Sequence, residues 1–334
     1  MPPRILLVRF SSIGDIVLTT PVIRAIRQRH PDAHIAMVVR EDMADLVRHN
    51  PRLDQVITWQ HRSPLGPLVE RIRQTDWTHR LDLHGSLRSR RLRLMVGGEW
   101  QGYPKHRIRR TALIATGRRM GGSLGHVVER YAEAAASLGI TLDDLPAELF
   151  VSVEAEEKAR AFLAGHGLGR QRRLVALVPG AAHFTKRWPP EYWTDLAARL
   201  SVKDDLVILG GPAEREVAAT MVAAAGRAAA SAAGDFSLLG SAALLRQSAA
   251  AVAGDTGLMH MATAVGTPVI ALYGPGVEEF GFFPWRARSR VLQIDIGCRP
   301  CSAHGGPRCP LGHHRCLRDL TPELVAAQLE RPPR

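Results

Sequence analysis

The feature that most constrains the fold of this chain is a repeated alternation of short apolar runs with stretches of helical apolar spacing. The first unit passes from an apolar run at Arg4–Phe10, through a short loop at Ser11–Asp15, into a helical pattern at Ile16–Arg29. A second apolar run follows at His34–Val39 after a Pro-Asp turn. Two buried strands joined by a helix are typical of parallel sheets covered by helices. We therefore predict an α/β protein with doubly wound parallel sheets.

Further elements continue the alternation through both halves of the chain. In the first half, Trp77–Leu83 and Gln101–Tyr103 are weaker strand candidates, and His126–Leu138 has the apolar spacing of an amphipathic helix. The strands and helices predicted in the second half are Leu174–Val178, Pro190–Leu200, Leu206–Leu209, Ala250–Ala253, Leu258–Val265, Val269–Tyr273 and Thr321–Leu329. A loop rich in Gly and Arg near residue 165 separates the two series. We predict two Rossmann-like domains, residues 1–165 and 166–334.

Charge and hydropathy restrict the partners. The chain carries 44 Lys and Arg against 32 Asp and Glu, a formal net charge of +12. Such a charge fits an anionic membrane face, a phosphorylated substrate or nucleic acid, and equally a merely solvated basic surface. Aromatic residues make up only 5% and do not interleave with basic ones in a strand, so no nucleic-acid partner is expected. The longest uncharged stretch, Thr256–Val277, is punctuated by Gly and Pro, and no secretory signal or membrane span is expected.

The loop Ser11–Asp15 is the first candidate site. It follows a strand and opens a helix, and ligands of open α/β sheets bind at the carboxyl ends of the strands. Gly14 lets a ligand approach the backbone closely, and the helix N-terminus favours negative charge. The loop lacks the G-x-G-x-x-G pattern, which argues against a dinucleotide-dependent dehydrogenase. From local evidence alone, Asp15 is best interpreted as a helix cap.

The segment Gly180–Trp193 also lies between a strand and a helix. Thr185 offers a hydroxyl and Lys186 a cation at a position where a phosphate group is commonly held. Ordinary loop charge is the alternative interpretation of Lys186. Trp188 and Trp193 are expected to pack in the core rather than to stack on a base.

The segment Gly254–His260, with the sequence GDTGLMH, gives the strongest local signal. A predicted strand ends here and a predicted helix begins at once. The N–H groups of the first helical turn have no partner within the helix, so we predict that they face a bound anion. Those N–H groups belong to Thr256, Gly257 and Leu258. Asp255 would repel a diphosphate, so we expect it to orient the loop or contact a sugar. His260 lies one turn into the helix, where histidine is usually structural, although with Lys186 it would suit a diphosphate leaving group.

All four cysteines lie in one short segment, as Cys298, Cys301, Cys309 and Cys316. Three histidines accompany them, namely His304, His313 and His314. The spacing indicates a local metal or redox site in a reducing compartment rather than a disulfide scaffold. A structural zinc is compatible with it. Reduced thiols or a local disulfide are the preferred interpretation, and metal binding is left open.

Six segments occur in order along nearly the whole chain. They are SSIGDIVLTTPVIRAIR, LDLHGSLRSRRL, GYPKHR, PGAAHFTKRWPPEYW, GDTGLMHMATAVGTPVIALYGP and CRPC…CPLGHHRCLRDLTPELV. The set resembles the ADP-heptose:lipopolysaccharide heptosyltransferases, glycosyltransferases of the inner core with the GT-B fold. GDTGLMH alone is less specific, because related loops occur in other GT-B enzymes. The C-terminal CPLGHH and RCLRDLTPE segments favour a heptosyltransferase II-like member.

The resemblance implies two Rossmann-like domains facing across a cleft. The N-terminal domain would bind the lipid A–core acceptor and the C-terminal domain the ADP-heptose donor, with no catalytic metal or other cofactor. It assigns Asp15 as the catalytic base of an inverting displacement, in place of a mere helix cap. The donor-binding residues that it implies are Gly14, Thr185, Lys186, Glu214, Asp255, Thr256, Gly257, Leu258 and His260. The acceptor-binding candidates are Arg88, Arg90, Lys105 and Arg107.

A cytoplasmic enzyme in reversible contact with the inner face of the cytoplasmic membrane follows from this resemblance, since the acceptor is a membrane lipid. The net positive charge would then serve to bind the enzyme reversibly to the anionic membrane surface. Three alternatives remain open at this stage. A nonhydrolysing nucleotide-sugar epimerase would act on the donor alone, a related transferase would move another sugar, and a catalytically silent protein would use the basic surface only for binding.

Overall fold

The computed structural model describes residues 1–117 and 124–330. The chain divides into two compact units, each described here by itself. The first unit comprises Met1–Lys105 and Gly125–Phe150, and the second comprises His106–Leu124 and Val151–Arg334. Residues 106–124 and 151–165 thus group with the second unit, whereas the sequence-based division puts them in the first half.

The first unit is built on a parallel sheet of five strands in the order β3-β2-β1-β4-β5. Its strands are β1 (Arg4–Val8), β2 (His34–Arg40), β3 (Gln55–Trp59), β4 (His79–Asp82) and β5 (Gln101–Gly102). The helices up to residue 150 are α1 (Ile13–Val17), α2 (Thr20–Arg29), α3 (Asp45–Arg48), α4 (Gly66–Arg73), α5 (Leu87–Val96), α6 (Arg107–Thr116) and α7 (Val127–Ala134). Of these, α6 belongs to the second unit. The core of the first unit lies between the sheet and its helices, around Leu6, Val8 and Phe10.

The single helix predicted at Ile16–Arg29 is wrong, because the structure has two helices, α1 and α2, in its place. Pro21 lies near the start of α2 and has no N–H to donate to the preceding turn. At the break, two threonine hydroxyls donate hydrogen bonds to backbone carbonyls. Thr19 donates to the Ile16 carbonyl at 2.6 Å, and Thr20 donates to the Val17 carbonyl at 2.8 Å. In addition, α1 begins at Ile13, three residues earlier than predicted, so that Asp15 lies inside it.

The second unit contains a parallel sheet of six strands in the order β11-β10-β9-β6-β7-β8. Its strands are β6 (Leu174–Val178), β7 (Asp205–Ile208), β8 (Ala229–Ser231), β9 (Ala250–Gly254), β10 (Val269–Tyr273) and β11 (Ser289–Gln293). Its helices after residue 150 are α8 (Val153–Gly165), α9 (Pro190–Leu200), α10 (Arg215–Ala225), α11 (Leu238–Gln247), α12 (Gly257–Ala264), α13 (Arg315–Arg318) and α14 (Pro322–Leu329). The α/β prediction with doubly wound parallel sheets is confirmed in both units.

The tryptophans of the second unit belong to its core, as predicted. Trp188 and Trp193 are 2% and 1% exposed, and their rings meet edge to face at 5.0 Å. The Trp188 indole N–H donates to the Leu320 carbonyl at 2.8 Å, so its polar atom is satisfied inside the core. Across the described ranges, 1–117 and 124–330, no helix is long and apolar enough to span a bilayer.

Candidate active site

The strand orders define where each sheet reverses its direction of winding. In the first sheet, β2 and β3 extend the sheet on one side of β1, and β4 and β5 extend it on the other. In the second sheet, β7 and β8 lie on one side of β6, and β9, β10 and β11 lie on the other. Ligands of open α/β sheets bind beyond the carboxyl ends of the strands at this point. The loops that follow β1, β4, β6 and β9, together with the helices that come next, contain most of the candidate residues.

Asp15 lies in the first turn of α1 and has three partners. The Ser12 backbone N–H and hydroxyl donate to Asp15 Oδ2 at 3.3 and 2.6 Å. Arg9 Nη2 lies 2.6 Å from Asp15 Oδ1, and the Tyr131 hydroxyl donates to the same oxygen at 3.4 Å. The prediction that Asp15 is itself the helix cap is therefore wrong in position: Ser12 is the N-cap of α1, and Asp15, the third helical residue, accepts the Ser12 N–H. The Asp15 side chain is still 20% exposed.

The charge of Asp15 is fixed by its surroundings. Burial raises the pKa of this carboxyl, but the Arg9 charge and the hydrogen bonds from Ser12 outweigh burial and lower the pKa from 3.8 to about 2. Arg9 is 6% exposed and also donates to the carbonyl oxygens of Ser11 at 2.8 Å and Leu83 at 2.5 Å. These bonds hold the guanidinium in place. Asp15 is ionised throughout the physiological pH range.

A histidine that the sequence analysis did not single out lies in the same neighbourhood. His84 lies two residues after the end of β4, and its ring meets that of Phe10 edge to face at 5.4 Å. Burial and the positive charges of Arg9 and Lys105 lower the pKa of His84 to about 4, so its ring is neutral at pH 7. Its Nδ1 is buried and has no hydrogen-bond partner within residues 1–117 and 124–330. Its position at the end of a strand in LDLHGS was the available signal.

The structure separates the four acceptor-binding candidates. Lys105 lies against Gly85, where an added Cβ would come within 2.7 Å of Lys105 Cε. This contact brings Lys105 beside the loop that carries His84. Arg88 stacks over the Trp59 ring at 4.9 Å, and Arg90 is exposed on α5. Arg107 begins α6 and groups with the second unit.

Two loops of the second unit meet through an ion pair. Lys186 Nζ lies 2.6 Å from Asp255 Oδ2, and the two side chains are 18% and 14% exposed. The approach requires Gly254, since a Cβ there would lie 3.2 Å from the Lys186 carbonyl oxygen. Asp255 thus neutralises the cation next to it and joins the two loops.

The helix α12 begins immediately after this pair. The Thr256 side chain caps it by accepting the Met259 N–H at 3.4 Å, and the first helical residues are Gly257 and Leu258. N–H groups in a first turn have no partner within the helix and favour an anion. His260 is 4% exposed and lies among the buried residues of α12, where the Thr263 hydroxyl donates to its carbonyl at 2.8 Å.

Thr185 is held by the cysteine-containing segment rather than presented to solvent. Its N–H donates to the Gly306 carbonyl at 3.2 Å, and its hydroxyl accepts the Gly306 N–H at 2.8 Å. The ring Nε2 of His314 lies 3.2 Å from the Thr185 carbonyl oxygen, and the ring stacks on Phe184 with centroids 5.1 Å apart. We call these contacts of Gly306 and His314 the Thr185 brace. With Thr185 only 3% exposed, the brace fixes the backbone that carries Lys186.

Glu214 lies in the loop that follows β7, and its side chain contacts the backbone of the same loop. The Gly211 N–H donates to Glu214 Oε2 at 2.8 Å. A Cβ at Gly180 would lie 2.6 Å from Glu214 Cδ, so the carboxylate packs directly against the loop that follows β6. Glu214 is thereby brought next to the Gly180–Trp193 segment.

The four cysteines are free thiols. Burial and the neighbouring thiols raise the pKa of Cys316 to about 11, and burial also raises that of Cys301. Cys309 Sγ accepts the His314 N–H at 3.4 Å, which joins the thiols to the Thr185 brace. In the part of the chain that the structure describes, no group of three or more His, Cys, Asp or Glu side chains has the arrangement needed to hold a metal ion.

Comparison with known proteins gives a consistent result. Residues 66–308 match the family model "Glycosyltransferase family 9 (heptosyltransferase)". The chain is 29% identical to lipopolysaccharide heptosyltransferase 1 of Pseudomonas aeruginosa, over 98% of this chain and 97% of that protein. It is 25% identical to lipopolysaccharide heptosyltransferase 2 of Escherichia coli, with the same coverage of 98% and 97%. The solved structure of the E. coli ADP-heptose LPS heptosyltransferase II has the same fold, with a TM-score of 0.77, 24% identity and coverage of 98% and 97%.

The fold and the family match agree with the resemblance seen in the ordered motifs. The matched range covers well over half of the chain and includes the Lys186–Asp255 pair and the start of α12. The two parallel α/β units are those expected of a GT-B enzyme. The protein is a glycosyltransferase and belongs to glycosyltransferase family 9, the heptosyltransferase family.

Proposed function

We propose that this enzyme transfers heptose from ADP-heptose to the inner core of lipopolysaccharide, with inversion at the anomeric carbon. The observation that carries the proposal is the similarity to lipopolysaccharide heptosyltransferase 1, which extends over 98% of the chain. Both units are included in that similarity. A protein that acted on the donor alone, such as an epimerase, would have no use for a second site built around Asp15.

We assign the acceptor to the first unit and the proton transfer to Asp15. As the acceptor oxygen forms its bond to the anomeric carbon, its hydroxyl proton becomes acidic and passes to Asp15. Such a proton can be accepted by a carboxylate of low pKa, because positive charge accumulates on the sugar before the proton leaves. Arg9 and Ser12 hold the carboxylate in position, and Lys105 beside Gly85 supplies a cation for an acceptor phosphate. Arg88, Arg90 and Arg107 remain proposed acceptor contacts.

We assign the donor to the second unit. The bond between the anomeric carbon and the diphosphate oxygen breaks as the new bond forms, and negative charge collects on the departing ADP. Lys186 and the N–H groups of Thr256, Gly257 and Leu258 are placed to stabilise that charge. Thr185 would act by holding the loop, Asp255 by orienting Lys186, and buried His260 by positioning α12. Glu214 is proposed near the ADP ribose, and Gly14 where the donor must approach α1 closely.

We further propose that the enzyme works in the cytoplasm, at the inner face of the cytoplasmic membrane. The lipid acceptor of the related enzymes and the net charge of +12 support this location. Attraction between a basic protein and anionic lipids is screened by salt, so the contact would be reversible.

The test is ADP release and product mass with ADP-heptose, using acceptors that end in Kdo or in one heptose. Asp15→Asn is expected to lose about 100-fold or more of the transfer rate, because the proton acceptor is removed, while donor binding is retained. Asp143→Asn is a matched control. Asp143 also lies 2.6 Å from a buried arginine, Arg24, in the same unit but has no proposed role.

The acceptor to which one heptose is added identifies the step of core assembly that the enzyme catalyses. Conversion of the donor without any acceptor would favour an epimerase, and transfer from a different nucleotide sugar only would correct the donor. If Asp15→Asn and Asp143→Asn transferred heptose at the same rate, the role proposed for Asp15 would be wrong.

A further inference from the structure

The helix α5 exposes an apolar ridge. Leu87 and Leu94 are both 84% exposed, although the opposite side of the helix is buried through Ser89 and Leu92, which are 0% exposed. Residues seven positions apart lie two turns apart on the same face of a helix. The two leucines therefore form one strip of apolar surface that the first unit leaves uncovered.

Arginines border this strip on both sides. Arg90 and Arg91 lie between the two leucines along the chain, and at 100° per residue they fall on opposite flanks of the line that joins them. Both are exposed, and within residues 1–117 and 124–330 their guanidinium groups have no ion-pair or hydrogen-bond partner. The chain contains no acidic residue from His84 to Gly98. The face is apolar along its centre and positive along both edges.

This arrangement has the chemistry of a bilayer contact. Leucine side chains partition into the boundary between lipid headgroups and acyl chains, while guanidinium groups bind lipid phosphates in pairs of hydrogen bonds. We propose that the face of α5 formed by Leu87, Arg90, Arg91 and Leu94 docks the protein reversibly on an anionic lipid bilayer. The proposal deepens the proposed function and rests on it to the extent that a lipid-anchored acceptor requires the enzyme to reach a membrane.

A second copy of the chain is a poorer occupant of this face. A two-fold contact places the same patch on both partners, so the arginines of one copy would lie against those of the other. Like charges brought together in this way repel each other. Anionic lipids instead match the arginines in charge and the leucines in apolarity.

The test is co-sedimentation of the full chain with phosphatidylcholine vesicles, with or without phosphatidylglycerol. Leu87→Gln/Leu94→Gln removes the ridge and retains residues with good helix propensity. The matched control is Val153→Gln/Val202→Gln, which removes two apolar residues that are 67% and 77% exposed elsewhere. Arg91→Gln tests the charge. Circular dichroism and light scattering check folding and oligomeric state.

We expect the parent protein to bind vesicles that contain phosphatidylglycerol, and high salt to weaken the binding. The leucine variant should lose about tenfold or more of its partition coefficient, and Arg91→Gln about fivefold, while the control binds like the parent. Equal binding by parent and leucine variant, no binding by the parent, or a smaller particle for the leucine variant would each overturn the proposal. Heptose transfer to a de-acylated acceptor is measured alongside and should be unchanged in the leucine variant. If the parent transfers no heptose, the proposed function fails while the vesicle result still decides the docking face.

Discussion

At the scale of single residues, the first unit keeps one carboxylate charged against the effect of burial. Asp15 is largely buried, and burial favours the neutral form of a carboxyl group. Arg9, itself buried, lies 2.6 Å away and reverses that preference. Removal of either partner leaves the other as an unpaired charge, which is a costly state. The pair is therefore a stabilising feature of the fold as well as the proposed centre of proton transfer.

The low pKa of Asp15 predicts a pH-dependent contribution to stability. The folded pKa of about 2 lies below the ordinary value of 3.8, so the contribution is complete above about pH 4 and is lost as the pH falls through 2. Its size is about 2 kcal/mol, falling to roughly half near pH 3. Urea unfolding of the parent and of Asp15→Asn between pH 5 and 2.5 would measure it. A stability difference between the two that does not change over this range would contradict the prediction.

The Lys186–Asp255 pair predicts that stability and donor affinity respond differently. Lys186→Gln removes the cation proposed to contact the diphosphate, so the KM for donor should rise about tenfold or more. It also leaves Asp255, only 14% exposed, without its partner, which destabilises the second unit. Adding Asp255→Asn should restore the unfolding midpoint but not the donor KM. Recovery of donor KM in the double variant would show that Lys186 acts only through the ion pair.

The sequence indicates which residues are chemically suited to a site, but not which partners they acquire. Asp15 and Lys186 could be selected because each lies in a segment between a predicted strand and the next predicted helix. Arg9 lies within a predicted strand, and its pairing with Asp15 depends on the path of the loop. Thr185 was selected for its hydroxyl group. In the structure that hydroxyl accepts a hydrogen bond from the N–H of Gly306, a residue 121 positions further along the chain. Local patterns contain no information on such long-range contacts.

At the scale of elements, continuous apolar runs were sufficient to locate the central strands. The strands Leu174–Val178 and Val269–Tyr273 and the helix Pro190–Leu200 have the predicted bounds, because buried strands are uniformly apolar and Pro190 marks a helix start. The sheet-edge strands β3, β8 and β11 were not predicted. Strands β3 and β11 are mostly half-buried or exposed, so they lack a continuous apolar run, and β8 has only three residues. Pro21, at the start of α2, was a visible signal of the break that the prediction of one long helix missed.

The Thr185 brace predicts a role for His314 in donor binding. Burial lowers the pKa of His314, and the hydrogen bond between the ring Nε2–H and the Thr185 carbonyl partly opposes that shift. His314→Ala should raise the KM for ADP-heptose several-fold, with a smaller effect on kcat, because the loop that carries Lys186 loses one support.

His313→Ala is the matched control, since His313 is adjacent but accepts a hydrogen bond from the Arg315 N–H instead. An equal rise of KM in both variants would point to general disturbance of the cysteine segment. A fall of kcat alone would place the role of His314 in the chemical step.

At the scale of the whole molecule, each unit has its own sheet and its own hydrophobic core. The core of the first unit is centred on strands β1 and β2, and that of the second on strands β6, β7, β9 and β10. The proposed donor contacts other than Gly14 all lie in the second unit, while Asp15 and Arg9 lie in the first. A ligand stabilises the structure that it binds relative to the open or unfolded form. Binding of ADP alone should therefore stabilise the second unit and leave the stability of the first unit unchanged.

Hydrogen exchange with and without ADP tests this asymmetry. At an ADP concentration about 100 times its Kd, amides of the second unit that exchange through its unfolding should slow by up to about 100-fold. The largest effects are expected at residues 183–186 and in the first turn of α12, where the diphosphate is proposed to bind. Amides of β1 and β2 should exchange as they do without ADP. The Lys186→Gln variant, at the same ADP concentration, should show weaker protection throughout the second unit.

Equal protection of both units would contradict this prediction, because either the units open as one cooperative body or ADP contacts both. If Lys186→Gln and Asp15→Asn then weakened ADP binding equally, the assignment of the donor to the second unit would be wrong. Protection confined to the second unit would leave the first unit, with its Asp15–Arg9 pair already formed, unaffected by the nucleotide. The ionised base would then be a property of the first unit's own fold. Only the sugar and the acceptor would remain to be brought to it, and donor variants such as Lys186→Gln should leave the pH dependence of Asp15 unchanged.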